Sequence, residues 1–340
     1  MSKDCCFPAY SLHFRLFRCQ FPPLLPTRLI KISEQTKESL KNLHFRFIFC
    51  NFVGFLRARM RRTIKPTRMR RTINTRIRCT LLNMTTIALD SSTDVCSAAL
   101  LQDGKVIAER CNLTGSNHAA LLPVYVQELL ASLSTSASSC SNEAKHALDA
   151  IVLSEGPGSY TGLRIAASLA KGLCYGMEIP LLAVPTLAAI AHAALNVQQA
   201  TRNAQHATPN TQHPTLICPM IEARRMEVYC TVYDTNLRVV QPLAAKVIDE
   251  QSFADLLADH DIYFCGNGAD KCRSVISHPH AHWIDGILPT GTAAGQLAHA
   301  YRNNTELVRT VAGKDIAYFE PNYLKEFVAA PSHVKGLTAH

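Results

Sequence analysis

The chain has 340 residues, 47% of them hydrophobic, enough for one large or two small domains with a sizeable core. Its net charge of +9 is unevenly placed: residues 1–83 hold 18 of the 35 Lys and Arg but only 3 of the 26 Asp and Glu, leaving 17 basic against 23 acidic residues in the remainder. The body is therefore mildly acidic and has no net positive field to draw in nucleic acid. The 13 cysteines include no Cys-x-x-Cys pair, which argues against a disulfide framework and for small buried hydrophobes in a reducing compartment.

In chain order, the basic segment comes first. Its longest apolar run, His44–Leu56, is interrupted by Arg46 and Asn51 and falls short of the ~20 residues that span a bilayer. Arg57-Ala-Arg-Met-Arg-Arg62 follows it where a cleavable signal would need small residues. Met60-Arg-Arg-Thr-Ile-Lys-Pro-Thr-Arg68 is nearly repeated by Met69-Arg-Arg-Thr-Ile-Asn-Thr-Arg76. A basic arm for nucleic acid is one reading. The expectation is instead a disordered or spurious extension, translated ahead of a start at Met84, because Met84-Thr-Thr-Ile-Ala-Leu-Asp90 opens a strand at once.

From Met84 onward the pattern is regular. Thr86–Asp90, Val95–Leu101 and Lys105–Arg110 read as strands, the last two joined by Asp103-Gly104, a strong hairpin signal. A helix follows with an apolar face of His118, Leu121, Leu122, Tyr125, Val126, Leu129, Leu130 and Leu133. After a Ser-rich loop over Ser132–Asn142 come a strand at Asp149–Ser154, a helix at Gly162–Tyr175, a strand at Pro180–Val184 and a helix at Thr186–Leu195. Asn196–Thr215 is polar and aperiodic, so a linker is expected. The same order then restarts: strands at Leu216–Glu222, Glu227–Asp234 and Leu237–Gln241, a helix at Gln251–Ala258, a strand at Ile262–Cys265 and a helix at Gly268–Ile276. This gives lobes at 84–195 and 216–330, a linker at 196–215, and a tail at 331–340. Two α/β lobes of like element order, each a mixed sheet with flanking helices, are the two-lobed actin-like (ribonuclease H-like) architecture.

Glu155-Gly-Pro-Gly-Ser-Tyr-Thr-Gly-Leu-Arg164 lies between a strand and a helix, where free amides and the helix dipole favour anions. Gly156, Gly158 and Gly162 permit tight turns, Thr161 can cap the helix, and Ser159 or Thr161 offers a hydroxyl. The third glycine is one residue late for G-x-G-x-x-G, and no lysine follows Gly162 as a Walker A loop requires. The plain alternative is a structural turn for close packing, supported by Ala166, Ala167 and Ala170 on the following helix. The loop alone leaves both open. His118 is followed four residues later by Leu122, so the His-x-x-x-His pair of a helical metal site is absent. His278-Pro-His-Ala-His282 reads as a solvated polar loop, and Arg224, Arg225 and Glu227 as a solvated charged turn or a contact to a binding partner.

Ile87-Ala-Leu-Asp-Ser-Ser-Thr93, Cys96-Ser-Ala-Ala-Leu100, His118 with Leu121-Leu-Pro123, and Gly156–Arg164 with Ala170-Lys-Gly172 resemble the TsaB family in order and spacing. So do Ile179-Pro180, Val184-Pro-Thr-Leu187, Glu222–Tyr229, Gly266-Asn-Gly268 and Pro321-Asn-Tyr-Leu324. The resemblance covers about Met84 to Val328. It departs at Ala119 and Ala120, where many members have Glu, at Glu222 for Asp, and at Met226 for Gly.

This resemblance implies an actin-like fold and a dimerisation subunit without catalytic residues or its own cofactor, inactive alone. It would pair in the cytoplasm with a TsaD-like paralogue and a TsaE-like ATPase, which bring the metal and ATP. Together these form threonylcarbamoyladenosine beside the anticodon of tRNA, which the chain would meet through the complex. Alone, the chain would homodimerise, and Arg224, Arg225 and Glu227 would be contacts to a partner or to tRNA. Asp90 would be a degenerate counterpart of the acidic residue that serves Mg²⁺ in active actin-like ATPases. The family's four-helix pairing would use His118, Leu121, Leu122, Tyr125 and Leu129 with Leu163, Ala166, Ala167 and Ala170. Leu122→Asp or Ala166→Arg would then weaken pairing while the fold survives. The competing classes are an actin-like ATPase or small-molecule kinase, which needs two phosphate hairpins, and a metallopeptidase-like enzyme, which needs the second histidine.

Overall fold

The computed structural model describes residues 84–113, 115, 117–136, 148–205 and 213–325. The basic segment with its repeat, most of the Ser-rich loop, and the tail lie outside the described residues.

The first three strands, β1 (Thr85–Asp90), β2 (Cys96–Gln102) and β3 (Lys105–Asn112), form an antiparallel meander. Asp103 and Gly104 both take positive φ, as a two-residue hairpin turn requires. Helix α1 (His118–Ser136) crosses to β4 (Ala150–Ser154), which lies parallel to β1. Helix α2 (Tyr160–Met177) crosses to β5 (Leu181–Val184), parallel to β4. Helix α3 (Thr186–Gln205) leads into the second sheet. There β6 (Thr215–Glu222), β7 (Glu227–Asp234) and β8 (Val239–Val247) form a second meander. After the single-turn helix α4 (Ala254–Leu257), β9 (Asp261–Cys265) and β10 (Ala281–Ile284) add in parallel beside β6.

The two sheets therefore share one strand order, β3-β2-β1-β4-β5 and β8-β7-β6-β9-β10. This is the duplicated, two-lobed actin-like arrangement. Each sheet centres on its first strand, which is covered on both faces, so β1 reads as a continuous apolar run rather than an alternation. Ile87 and Leu89 face Leu122, Val126 and Leu129 of α1 and Ala166 and Leu173 of α2. Ala88 faces a different core, shared between the sheets. That core holds Leu187, Ile190 and Ala194 of α3, Ala294 and Leu297 of α5 (Gly291–Ala300), and Ile217, Ile221 and Tyr233 of the second sheet. The far face of the second sheet packs Met220, Val228 and Phe264 against Phe253 and Leu257.

Four differences from the sequence reading have physical causes. Helix α3 continues ten residues into the expected linker; Gln199, Ala200 and Thr201, after the buried Gln198, are exposed, so no apolar periodicity marks this stretch. The expected helices at 251–258 and 268–276 shrink to α4 and to a 3-10 turn at Asp270–Cys272. His282 lies in strand β10 rather than in a loop. Residues 291–319, assigned by pattern to the second lobe, belong to the first sheet. Helix α5 covers β1 and β2, β11 (Arg309–Val311) pairs antiparallel with β5, and Ile316 and Phe319 enter the first sheet's core. Ending the chain after Pro289 is thus expected to abolish the cooperative heat-unfolding transition that a chain ending after Lys325 retains, as read by differential scanning calorimetry.

Candidate functional site

The glycine turn runs from the end of β4 into α2. Glu155 N donates to Val184 O at 2.9 Å, Gly156 N to Thr186 Oγ1 at 3.1 Å, and Thr186 N back to Gly156 O at 3.0 Å. Ser159, not Thr161, is the N-cap: its Oγ accepts from Gly162 N at 3.3 Å, while Thr161 is exposed in the first helical turn. The loop after β1 lies directly on this turn. Ser159 N donates to Ser92 O at 2.6 Å, and Ser91 Oγ donates to Gly162 O at 2.7 Å. A Cβ on Gly158 would stand 2.2 Å from Ser92 O, and one on Gly162 only 1.9 Å from Ser91 O. The glycines are therefore required by the approach of another backbone. The Ser159 amide, one of those a phosphate at this helix end would use, is already given to the Ser92 carbonyl.

The second lobe repeats the device. Gly268 N donates to Met220 O at 3.0 Å, and a Cβ on Gly266 would stand 2.3 Å from Met220 O. Asn267 Oδ1 accepts from Glu222 N at 3.3 Å. This turn too is filled by the end of its own central strand, which disfavours it as the facing phosphate hairpin.

Asp90 ends β1 and is fully buried. Its Oδ1 accepts from Ser92 N at 2.9 Å and Ser92 Oγ at 2.8 Å, and the Ser154 hydroxyl lies beside the same carboxylate. Burial raises the carboxyl above the ordinary aspartate range; Ser154, Ser92 and the charge of His118 offset this only in part. His118 begins α1, is buried, and its Nδ1 has no partner.

The residues expected to meet a partner divide sharply. Leu122, Leu129, Leu163, Ala166, Ala167 and Ala170 are at most 4% exposed, and all but Leu163 pack in the first sheet's own core, so they are not available as a surface. An apolar helical face looks the same in sequence whether a sheet or another chain covers it. Leu121 and Tyr125 are half-buried, beside Val124 at 46% exposure; on α2, Arg164 is exposed, bonded to Tyr160 Oη at 3.0 Å.

Arg224 and Arg225 are exposed in the β6–β7 turn, with Arg225 at φ 58°. Sequence reasoning missed what holds this turn. Lys271 Nζ donates to the carbonyls of Ala223, Arg225 and Glu227 at 3.1, 2.7 and 2.9 Å, and approaches Glu222 Oε1 at 3.5 Å. Nothing in the sequence marks a lysine 44 to 48 residues away for this role. The Glu227 carboxylate pairs with Lys325. The histidine cluster is engaged internally: His280 Nδ1 lies 2.8 Å and His282 Nε2 3.2 Å from Asp261 Oδ1, and the His213 ring packs on His280. Burial works against Asp261's ionised form, but these histidine contacts outweigh it and lower its pKa. Among the described residues no group of three His, Cys, Asp or Glu side chains is placed to hold a metal.

Two consequences can be measured. Gly162→Val forces apart α2 and the Ser91 carbonyl and is expected to cost about 3 kcal/mol in urea unfolding. Asp90 has a raised folded-state pKa, so it holds its proton more tightly folded than unfolded. Its stability contribution is full below the unfolded value of about 3.9 and is lost as pH rises through the folded value. Asp90→Asn keeps the Ser92 contacts without the charge. It is expected to raise the thermal midpoint at pH 7, with the gain vanishing below about pH 4.

The family model described as "TsaD: tRNA N6-adenosine threonylcarbamoyltransferase" matches residues 112–330. The chain is 34% identical over 149 residues to the tRNA threonylcarbamoyladenosine biosynthesis protein TsaB of Haemophilus influenzae, a match spanning 43% of this chain and 52% of that protein. It is 29% identical over 252 residues to TsaB of Bacillus subtilis, spanning 71% of this chain and 94% of that protein. YeaZ from Pseudomonas aeruginosa superposes with a TM-score of 0.54 at 27% identity, covering 71% of this chain and all of that one. With the model matching well over half of its length, the chain belongs to this threonylcarbamoyltransferase-like family, on its TsaB branch.

Proposed function

We propose that this protein acts in tRNA threonylcarbamoyladenosine formation as the partner subunit of a TsaD-like protein, enabling threonylcarbamoyl transfer to the adenosine beside the anticodon. The names of its relatives point to the pathway. The observation that carries the subunit role is the occupied glycine turn: the space and amide that a nucleotide phosphate needs are taken by the Ser91–Ser92 backbone. On this reading ATP and the metal are bound by the partners, a TsaD-like protein and a TsaE-like ATPase, and the complex works in the cytoplasm. Among the described residues no helix is long and apolar enough to cross a membrane.

The pairing surface in this proposal is the outer face of α1 and the adjoining part of α2: Leu121, Val124, Tyr125, Arg164 and the 74%-exposed Tyr175. The buried residues beneath support it. Arg224 and Arg225, held out on the Lys271-clipped turn, are the proposed contacts to partner or tRNA.

The decisive experiment reconstitutes tRNA modification from the same organism's TsaD-like and TsaE-like proteins, with and without this chain. Omission is expected to abolish modification; unchanged modification overturns the proposal. Val124→Glu is expected to lose capture of the TsaD-like protein with an unchanged circular dichroism spectrum. Leu122→Asp is expected to lose the fold itself, since it places a charge in the core.

A further inference from the structure

The segment after Phe319 crosses from one lobe to the other. Phe319 is anchored in the first sheet's core, with Arg309 over its ring while pairing with Glu155. From there the chain passes over the glycine turn: Asn322 N donates to Glu155 O at 2.7 Å, and Asn322 O lies so near Gly156 that a Cβ there would meet it at 2.6 Å. Tyr323 packs on Tyr160 with ring centroids 4.8 Å apart, and Arg164 covers the Tyr160 ring. Two residues later Lys325 reaches the second lobe, where its Nζ pairs with both carboxylate oxygens of Glu227. Glu227 belongs to the turn that Lys271 clips through the Glu227 carbonyl. Both turns lie at the C-terminal ends of central strands, β4 in one sheet and β6 in the other.

We propose that residues 320–325 are a latch that ties the glycine turn of the first lobe to the β6–β7 turn of the second and so sets how far the lobes open. The segment has no regular secondary structure, and its far end rests on an ion pair whose lysine side chain is 47% exposed. Such a pair is weak and screened by salt, which makes the latch reversible. Opening it takes Lys325 off the turn that carries Arg224 and Arg225, leaving the Lys271 clip as its remaining tie, and uncovers Gly156 and Tyr160. The inference rests on intramolecular contacts alone and stands whether or not the chain pairs with a TsaD-like protein.

Hydrogen exchange by mass spectrometry on the full chain tests it. Lys325→Glu sets two carboxylates against each other. It is expected to speed exchange of amides in 222–229 and in 155–164 by about two- to fivefold at low salt, the range of a part-exposed ion pair, with the thermal midpoint unchanged. The charge swap Lys325→Glu with Glu227→Lys is expected to restore protection, and about 0.5 M salt to bring the unmodified protein toward the single variant. Lys325→Met supplies the same comparison should the glutamate variant not fold. Unaltered exchange in 222–229 on loss of the Lys325 charge, or failure of the charge swap to restore it, overturns the latch.

Discussion

The contact between two backbones, the loop after β1 and the glycine turn before α2, is the constraint on which the first lobe depends. Carbonyl oxygens of Ser91 and Ser92 stand where the side chains of residues 162 and 158 would be. That contact seats α2 against the end of β1, and α2 in turn covers Ile87 and Leu89. A helix N-terminus following a strand attracts anions because its amides are unsatisfied and its dipole is positive. Here the Ser159 amide is satisfied by Ser92 O, and Gly158 and Gly162 admit the preceding loop at close range.

Buried polar groups nearby show what such closure costs. Asp90 takes two donors from Ser92 and has the Ser154 hydroxyl beside it, whereas Nδ1 of the buried His118 has no partner. An unsatisfied buried polar atom is destabilising by about 1–3 kcal/mol, so such an atom is tolerated because the surrounding core is large. Helices α3 and α5 contribute to one cluster that reaches both sheets, and the histidines around Asp261 and the Lys271 clip hold the second lobe's edges and turn.

Most of the secondary structure was legible because central strands and covering helices carry their burial as a pattern. Thr86–Asp90, the Asp103-Gly104 hairpin and the Tyr160–Met177 helix are cases where apolar period and turn chemistry agree. The failures lie where burial leaves no local mark. On α3, Gln199, Ala200 and Thr201 are exposed and carry no apolar period, β11 is three residues at a sheet edge, and α5 is built largely of Gly and Ala. The candidate site was legible as a motif and as a family signature, yet its role was not. Whether Leu122 and Ala166 face a sheet or another molecule is a question about neighbours, and the spacing of a helix is the same in both cases.

By itself the sequence determined the kind of most elements between Met84 and Cys265, though not β10, α5 or β11, and with them the duplicated order and the membership of the TsaB branch, because these follow from short-range period and local motif. Tertiary structure alone decided four things: that the glycine turn is filled by Ser91 and Ser92, that Lys271 clips a turn over 40 residues away, that 291–319 returns to the first sheet, and that Lys325 reaches Glu227. Each joins groups far apart in the chain. The free energy of such a contact comes from geometry that only the folded molecule supplies, and no local pattern of residue types encodes it.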